Sequence, residues 1–458
     1  MKKQGKKWML VVLALLAVVT VTLPLVGCKN DTVAEQTGDG TGSGSGNQGS
    51  GDPEQPVTYT VSFNTNGGGS IDSQTIVNGQ TATKPADPTL ENNVFDGWYS
   101  DKELTSEYDF TTPVTGSFTL YAKWVKRIKV NASDVSSEIE GLTGDGSYIL
   151  VVTGKLNDLS AITAALSSNK SAKVNLDLSK ATGLTTIGVR AFMDCDSLTS
   201  ICIPEGVKSI GGSAFSGCSG LTSISIPSSV TSIGDAAFDG CSGLTSITIP
   251  EGVTTIETRA FGGCSSLNIS VDENNTKYSS VNGMLLDKEK TILIAYPSAK
   301  ETVTKVPSSV TSIGERAFGS CSGLTSITIP ASVTSIGDYA FIGCSGLTSI
   351  DLSKATGLTT IGNDAFYGCK SLTSISIPSS VTSIGGDAFY GCSGLEEVTM
   401  EANTPPELGS SAFSNTSTGL QILVPSSSEE AYKNATTDKG WDSYKDKIKP
   451  YNNHPSIR

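Results

Sequence analysis

The sequence predicts a mainly β repeat solenoid, preceded by a small β module and closed by α/β caps. Nine Ala-Phe pairs recur along the chain, and successive phenylalanines are 23 to 25 residues apart except for one interval of 57. The first eight of these phenylalanines are each followed by a cysteine three residues later. A unit of this length buries about eight apolar side chains, which offsets only part of the entropy lost on ordering it. The units must therefore stack on one another to be stable.

One unit, residues 221–243, shows the predicted path of a coil. Its Leu-x-x-Ile-x-Ile stretch predicts a short strand that ends at Pro227, and the Val-x-x-Ile-Gly stretch predicts a second extended segment. The segment Asp235–Cys241 is too short for a regular helix, so we expect one tight helical turn there. Stacking aligns equivalent positions of successive coils into columns.

The first 27 residues predict a lipoprotein signal peptide. Four lysines precede an apolar run from Trp8 to about Val21, which is the order of a secretory signal and is shorter than a membrane span. The run is followed by the sequence LVGC, which ends at Cys28 and resembles a bacterial lipobox. This resemblance implies cleavage before Cys28 and lipidation of its sulfur. An ordinary signal peptide with an unrelated cysteine is the alternative.

Residues 28–56 combine the lipidated cysteine with a Gly/Ser-rich segment. The segment is almost free of apolar residues, so nothing in it offsets the entropy cost of ordering. We predict a flexible tether that holds the folded part of the chain clear of the membrane. Removal of the signal peptide takes away four lysines and no acidic residue, so the formal net charge of −13 becomes −17. Acyl chains rather than charge would then supply the membrane affinity.

Residues 57–125 predict a small β module with an aromatic core. The motifs VSFNTNGGG, FDGWYSD, YDF and TLYAKW occur in this order, with alternating residues around a glycine turn. They resemble the Listeria–Bacteroides repeat, also called the internalin-type B-repeat. The resemblance implies a β-grasp-like surface module that serves as a spacer or interaction unit without catalysis. We interpret Trp98 and Trp124 as core residues, and surface binding by them is the alternative.

Residues 126–175 predict an entry cap, because an open solenoid end would expose unpaired backbone and apolar surface. Helices are expected after Asp134 and after Asp158, since aspartate is a common N-cap residue. A strand is expected between them, from Tyr148 to Leu156, and another strand before the first coil.

Residues 176–394 contain the repeat, and residues 395–458 contain a C-terminal repeat and cap. The IPSSVTSIG core, the Ala-Phe pairs and the cysteines that follow them resemble the BspA-like leucine-rich repeats. Two coils depart from this pattern by carrying DLSKATGLTTIG, which is two residues longer. The interval of 57 leaves 34 extra residues, and we expect a β-hairpin insertion at about 270–305 that leaves the stack. Three apolar residues are expected to cover the last coil: Trp441, Tyr444 and Ile448.

Composition disfavours several classes of function. The negative net charge disfavours nucleic acid as a partner, since phosphate recognition needs clustered Lys and Arg. His454 is the single histidine, which excludes multi-histidine metal sites. The common catalytic and phosphate-binding motifs are missing from the sequence, and a glycosidase-type pair of carboxylates is the enzymatic alternative. We predict a protein that is not an enzyme, with no cofactor and no metal.

The eight repeat cysteines admit three interpretations. A metal site is disfavoured because stacked equivalents point in parallel and no histidine or C-x-x-C motif joins them. Disulfides are disfavoured because in-register Cβ atoms would lie about 4.8 Å apart, beyond the usual ~3.8 Å. We favour small buried side chains at a tight inward turn. Cys202 lies outside this series and is interpreted as a strand residue.

The positions at which the coils differ are candidates for binding. The first column lies two residues before each phenylalanine and runs Arg190, Ser213, Ala236, Arg259, Arg316, Tyr339, Asp364 and Asp387. The second column lies directly after each phenylalanine and consists of Met193, Ser216, Asp239, Gly262, Gly319, Ile342, Tyr367 and Tyr390. Exposed tyrosines are typical binding anchors. We call four residues on three late coils the tyrosine edge: Tyr339, Ile342, Tyr367 and Tyr390. Packing on the C-terminal cap or on each other is the alternative.

The combined prediction is a lipid-anchored bacterial cell-surface protein, on the outer membrane if the cell has one. The resemblance to BspA-like proteins implies adhesion, with host extracellular-matrix or plasma proteins such as fibronectin and fibrinogen, or other cells, as partners. The membrane is a partner through the lipid anchor. A carbohydrate-capture or cell-envelope scaffold lipoprotein is the alternative function.

Overall fold

The computed structural model describes residues 55–143, 146–264, 267–296, 303–435 and 440–451. The predicted signal peptide, the predicted lipidation site Cys28 and most of the tether lie outside these ranges. Within them the chain forms a β module, an entry cap, a long stack of coils and a C-terminal cap. The prediction of a mainly β repeat solenoid is confirmed.

The N-terminal module is a mixed sheet of four strands: β1 (Thr58–Asn64), β2 (Gln74–Val77), β3 (Asn93–Tyr99) and β4 (Phe118–Asn131). β1 lies between β2 and β4, antiparallel to β2 and parallel to β4, and β3 is antiparallel to β4. A parallel central pair with antiparallel outer strands agrees with the β-grasp-like prediction, although the connection from β2 to β3 contains no helix. The core includes Trp98, which is 1% exposed, as predicted.

Strand β4 joins the module to the entry cap. It is 14 residues long, and its last six residues pair in parallel with β5 (Ser147–Lys155). β5 pairs with β6 (Lys173–Thr182), which continues into the first strands of the coils. Module, cap and the first coils therefore share one eight-stranded sheet. The predicted boundary at residue 125 lies inside a continuous strand.

Two short helices complete the entry cap: α1 (Val135–Gly141) and α2 (Ser160–Ser168). Both begin where the sequence predicts them. The Asp158 carboxylate accepts a hydrogen bond from Ser160 N at 3.0 Å, as a capping residue does. Asp134 makes no such bond to its own helix. Both helices bury their apolar faces in the core that continues into the coils.

Each coil contributes two short strands that pair in parallel with those of its neighbours. Before the insertion these are β7 (Thr186–Ile187), β8 (Leu198–Cys202), β9 (Ser209–Ile210), β10 (Ser223–Ser225), β11 (Ser232–Ile233), β12 (Ser246–Ile249) and β13 (Thr255–Ile256). The register joins equivalent residues, as where Ile233 pairs with Ile210 and with Ile256. The repeat period therefore places equivalent side chains in columns, as expected.

The insertion contains four strands: β14 (Asn268–Val271), β15 (Tyr278–Val281), β16 (Met284–Asp287) and β17 (Ile292–Ala295). β16 and β17 form the predicted antiparallel hairpin. The prediction that the hairpin leaves the stack is wrong, because β14 pairs in parallel with β12 and β17 pairs in parallel with the next coil. The apolar residues of the hairpin explain this position, since four of them are buried in the core: Met284, Leu285, Leu286 and Leu293.

The insertion also contains a coil position that the Ala-Phe pattern conceals. Tyr296 N donates to Ala317 O at 2.8 Å, which is the bond that seven of the phenylalanines make to the alanine of the next coil. The Tyr296 ring lies 5.0 Å from that of Phe318. Ala295-Tyr296 therefore stands where Ala-Phe is expected, and the interval of 57 consists of one coil of 35 residues and one of 22.

The coils resume with ten strands: β18 (Val303–Lys305), β19 (Ser312–Ile313), β20 (Ser326–Thr328), β21 (Ser335–Ile336), β22 (Ser349–Asp351), β23 (Thr360–Ile361), β24 (Ser374–Ile377), β25 (Ser383–Ile384), β26 (Glu397–Met400) and β27 (Glu407–Leu408). Exposed threonines reinforce the backbone pairing. Thr334 Oγ1 donates to Thr311 O at 3.2 Å, and Thr382 Oγ1 donates to Thr359 O at 3.2 Å. These hydroxyls therefore help to bind each coil to the one before it.

The segment between the second strand and the cysteine is a run of β-turns and not the predicted helical turn. In the coil at residues 221–243, its hydrogen bonds span three residues, as from Cys241 N to Phe238 O at 3.2 Å. Ala236 and Gly240 have positive φ angles of 53° and 75°, which interrupt a right-handed helical path. The helical prediction is therefore wrong.

The C-terminal cap comprises β28 (Gln421–Pro425), a 3-10 helix (Ser426–Ser428), α3 (Glu429–Asn434), a second 3-10 helix (Asp442–Lys447) and β29 (Ile448–Tyr451). Trp441, Tyr444 and Ile448 are buried, as predicted. The Tyr444 ring meets that of Phe413 edge-on at 5.5 Å. The cap thus closes the apolar end of the stack.

Candidate functional site

The turn segments of the coils carry the tyrosine edge, and an unusual backbone conformation sets its geometry. All residues of the first column, together with Ser411 of the last coil, have φ angles between 52° and 60°. This left-handed region costs a residue with a side chain roughly 1–2 kcal/mol. None of these residues is glycine, so neighbouring coils must hold the conformation in place.

Hydrogen bonds between successive turns hold this conformation. The N–H of Tyr339 donates to Asn363 O, and the N–H of Asp364 donates to Gly386 O, both at 2.8 Å. Phenylalanine N–H groups donate to the alanine carbonyl of the next coil at 2.7–2.8 Å in seven coils. The turns therefore form a third hydrogen-bonded ladder beside the two strand ladders, and the first-column residues follow one another along it in a fixed order.

Stacked phenylalanines support the turns from inside. Their rings lie 4.6–5.7 Å apart and within 12° of parallel, in one stack before the insertion and one after it. All are buried. Offset parallel rings are a favourable aromatic arrangement, so each coil fixes the height and orientation of the next. Each second-column residue directly follows one of these phenylalanines in the sequence, so the second column has the same spacing from coil to coil.

The repeat cysteines lie beneath the same turns as buried side chains that form no disulfide. Six of them donate from Sγ to the carbonyl of the phenylalanine in the preceding coil at 2.8–3.2 Å, as Cys218 does to Phe192 O. Burial raises the pKa of Cys218 to about 12, so its thiol keeps the proton that this bond requires. The interpretation as small buried side chains is confirmed, with the thiol hydrogen bond as an added role.

Tyr367, which is exposed, and Tyr390, which is half-buried, form a ring pair on the tyrosine edge. Their rings are stacked at 5.1 Å and within 10° of parallel, continuing on the outside the arrangement of the phenylalanines inside. Tyr367 is 38% exposed, and Ile342 lies half-buried in the same column on the preceding coil. The alternative that these tyrosines pack on each other is correct for this pair, yet the stacked pair remains accessible.

Tyr339 lies in the first column, beside the stacked pair rather than in line with it. The guanidinium carbon of Arg316 lies 4.0 Å from the centre of its ring, a cation–π contact. Arg316 Nε also lies 3.8 Å from Glu315 Oε1. The structure therefore places Tyr339 in a charged environment, and it brings only Tyr367 and Tyr390 into direct ring contact.

Acidic side chains continue the first column past Tyr339. Partial burial raises the pKa of Asp364, and repulsion from Asp387 raises it further. A hydrogen bond from Tyr339 and the charge of Arg316 act in the opposite direction. The edge is thus a tyrosine pair flanked by one cation and two carboxylates. Sequence reasoning did not include these charged residues in the edge, although their place in the first column signals them.

Residues 169–281 and 295–435, more than half of the chain, match the BspA type leucine rich repeat region in six copies. The chain belongs to the BspA type leucine rich repeat family. Residues 59–123 match the Listeria–Bacteroides repeat domain. Both resemblances inferred from the sequence are therefore confirmed. Repeat families of this kind are typically binding scaffolds rather than enzymes.

Relatives of this BspA type protein are known in sequence and in structure. A protein of Evansella cellulosilytica named as a Gly-rich membrane protein is 43% identical over 84 residues, 18% of this chain and 9% of that protein. Internalin H of Listeria monocytogenes is 29% identical over 92 residues, 20% of this chain and 16% of internalin H. The chain thus spans less than a fifth of the curated relatives that it matches. A leucine rich cell surface protein of Faecalibacterium prausnitzii is 30% identical, with 78% of this chain and 99% of that chain covered and a TM-score of 0.49.

The described part of the BspA type chain contains no cluster of three or more His, Cys, Asp or Glu side chains that could hold a metal ion. In the same ranges no helix is long and apolar enough to cross a membrane. The tyrosine edge itself offers two stacked aromatic rings, a guanidinium and carboxylates for contact with a partner.

Proposed function

We propose that this BspA type protein is a lipid-anchored surface protein that binds protein partners through the tyrosine edge. The partners are host matrix or plasma proteins, or proteins of other cells, and the role is adhesion. The stacked and accessible pair Tyr367–Tyr390 is the observation that supports this proposal. Tyrosine is enriched among residues that dominate protein interfaces, because it offers a large rigid surface with a polar end.

The stacked arrangement favours binding energetically. Ordering side chains on association costs roughly 0.5–1.5 kcal/mol for each flexible group. Both tyrosines are already held by their own ring contact and by the turn ladder below them, so little of this cost remains. Arg316 and Asp364 flank the pair with opposite charges, which favours one orientation of a partner.

The double variant Tyr367→Ser/Tyr390→Ser is expected to weaken binding about tenfold or more, because it removes both aromatic anchors. Surface plasmon resonance of the variant and the wild type over immobilised matrix and plasma proteins measures this change. Thermal unfolding should be nearly unaltered, since the ring faces of the pair lie outside the core.

Met193→Ser is the matched control. Met193 occupies the same column on the first coil and is also 38% exposed, so it tests a general loss of apolar surface. The Met193→Ser variant should bind the immobilised proteins with the affinity of the wild type. Equal affinity of the double variant and the wild type for every bound partner would refute the proposed site.

The lipid anchor is the second part of the proposal. We expect Cys28→Ala to move the protein from the membrane fraction to the soluble fraction or to leave uncleaved precursor, because an acyl chain contributes about 0.8 kcal/mol per buried CH₂. Detergent partitioning of cell fractions measures this, and Cys344→Ala, at a buried repeat cysteine that forms no disulfide, serves as the control cysteine change. Unchanged partitioning of the Cys28 variant would contradict the anchor. Protease treatment of intact cells would then show whether the solenoid faces outward.

A further inference from the structure

The first coil of the solenoid begins two hydrogen-bonded ladders that nothing precedes in the described part of the chain. In the second coil, Lys208 N donates to Thr185 O and Gly211 N donates to Ile187 O, both at 2.8 Å. The equivalent donors of the first coil are the N–H groups of Thr185 and Gly188, and neither has an acceptor within the described ranges. The sheet of the entry cap continues only into the other strand of the coil, β8. β7 is therefore an open strand edge.

The space in front of Gly188 is open, whereas a coil fills it at the equivalent glycines. A Cβ atom added to Gly211 would lie 2.8 Å from Val189 N, and one added to Gly234 would lie 2.7 Å from Gly212 N. A Cβ atom added to Gly188 would have no atom within 4 Å. Glycine permits the close approach of another backbone, so Gly188 offers to an incoming segment the place that a preceding coil takes elsewhere.

A groove of about 540 Å³ runs along this open edge, between β7 and the N-terminal end of α2. We call it the cap groove, and its lining includes Leu159, Thr163, Ala164, Thr186, Gly188 and Val189. The Thr163 hydroxyl donates to Ala191 O, which covers one carbonyl of the first turn. Val189 O has no donor in the described part of the chain, and the Val189 side chain is 73% exposed. The volume is typical of a binding site.

An exposed cation lines the cap groove without a counter-ion. Arg190 forms no ion pair with any residue that the structure describes. Its first-column equivalent Arg259 places Nη2 2.8 Å from Oδ2 of Asp239, which belongs to the preceding coil. Asp158 also lines the groove, but its carboxylate accepts bonds from Ser160 N at 3.0 Å and Ser160 Oγ at 2.6 Å. Arg190 therefore lacks the carboxylate that a preceding coil supplies to Arg259.

We propose that the cap groove binds a short extended segment of a protein partner, which pairs in parallel with β7 and presents a carboxylate to Arg190. Carbonyls of the segment accept hydrogen bonds from Thr185 N and Gly188 N, and one of its N–H groups donates to Val189 O. Addition of a strand to an open sheet edge is a common mode of peptide recognition. β7 carries neither proline nor a charged side chain, the features that usually block such pairing. This site is independent of the proposed tyrosine edge.

The test uses the full chain and a fluorescein-labelled peptide, VTSIGDAAFDG, which repeats residues 230–240. In the solenoid this segment accepts bonds from Thr254 N and Glu257 N at 2.9 Å and pairs with Arg259 through Asp239. As a free peptide it therefore supplies the carbonyls and the carboxylate that the first coil lacks. Fluorescence anisotropy should show saturable binding of one peptide per chain. A scrambled peptide of the same composition should not bind.

Gly188→Ala should raise the Kd of the peptide about tenfold or more, because its methyl group occupies the place of the incoming backbone. The methyl group meets no atom of the chain itself, so thermal unfolding should be unaltered. Gly116→Ala is the matched control, since an added Cβ atom there also has no atom within 4 Å. This control should bind the peptide with the affinity of the wild type.

Arg190→Gln should raise the Kd about fivefold, as expected for an exposed ion pair. The peptide with Asp239→Asn should lose a similar factor against the wild type, and combining the two changes should cost no more than either alone. The variant Tyr367→Ser/Tyr390→Ser should bind the peptide normally, which separates this site from the tyrosine edge.

Three results would overturn the proposal: no saturable binding of the repeat peptide, equal affinity for the scrambled peptide, or unchanged affinity of Gly188→Ala. Sedimentation of the full chain tests a second copy as the occupant. Self-association that Gly188→Ala abolishes, without binding of the peptide, would assign the open edge to a second copy and overturn the proposal as well.

Discussion

Replacing Phe341 by alanine is expected to lower the free energy of unfolding by about 3–5 kcal/mol. The Phe341 ring is fully buried and lies 4.6 Å from the ring of Phe318 and 5.0 Å from that of Phe366. The substitution therefore removes a ring from the middle of a stack and leaves a cavity that its neighbours cannot fill without tilting. Urea unfolding followed by circular dichroism measures the change.

The control for this prediction is Phe341→Leu, which keeps most of the apolar volume and should cost less than about 2 kcal/mol. Because coils contact only their neighbours, the alanine variant should also unfold less cooperatively, with the coils on either side separating into two transitions. An alanine variant with the midpoint and slope of the wild type would show that the stack contributes little to stability.

Replacing Asn275 by alanine is expected to cost about 3 kcal/mol or more, because it leaves buried backbone groups without partners. Asn275 is fully buried at the start of the insertion. Its Nδ2 donates to Pro250 O at 2.7 Å and to Val253 O at 2.9 Å. Its Oδ1 accepts from Lys277 N at 2.9 Å and from Tyr278 N at 2.8 Å. One side chain thus ties the insertion to the preceding coil by two bonds and fixes the adjoining turn of the insertion by two more.

Hydrogen exchange measured by mass spectrometry locates this effect. Peptides from β15 to β17 should lose protection in the Asn275 variant, whereas peptides from β24 to β26 should keep it. Asn274→Ala is the matched control. Because Asn274 is exposed, its replacement should change the free energy of unfolding by no more than about 0.5 kcal/mol. Equal protection of β15 to β17 in both variants would contradict an anchoring role for Asn275.

The repeat made much of the fold predictable. Regular spacing of Ile, Val and Phe defines which residues point inward, and in-register stacking follows from that spacing, as the Ile210, Ile233 and Ile256 pairing shows. The helical turn was predicted wrongly because a left-handed residue such as Ala236 carries no sequence signature. Its conformation comes from hydrogen bonds to the next coil.

The insertion shows a second limit of sequence reasoning. An extra stretch between two regular coils was predicted to leave the stack, since periodicity alone cannot show where an irregular segment packs. Tyr296 replaces the expected phenylalanine, and its backbone bond to Ala317 and its ring contact with Phe318 reveal it as a coil position.

The tyrosine edge was partly predictable. Columns follow from the period, so the neighbours Tyr367 and Tyr390 could be placed together in advance. The contact between Arg316 and Tyr339 could not be predicted in this way, because it depends on side-chain rotamers.

The parallel pairing of β1 with β4 has a mechanical consequence. β1 is the first strand of the described residues, and β4 leads onward into the solenoid. A pull between the N-terminus and the coils draws these two strands past each other along their length, from Val61 beside Phe118 to Asn64 beside Tyr121. The hydrogen bonds of this pair are then loaded together in shear instead of one after another, so the module should resist tension as a clamp.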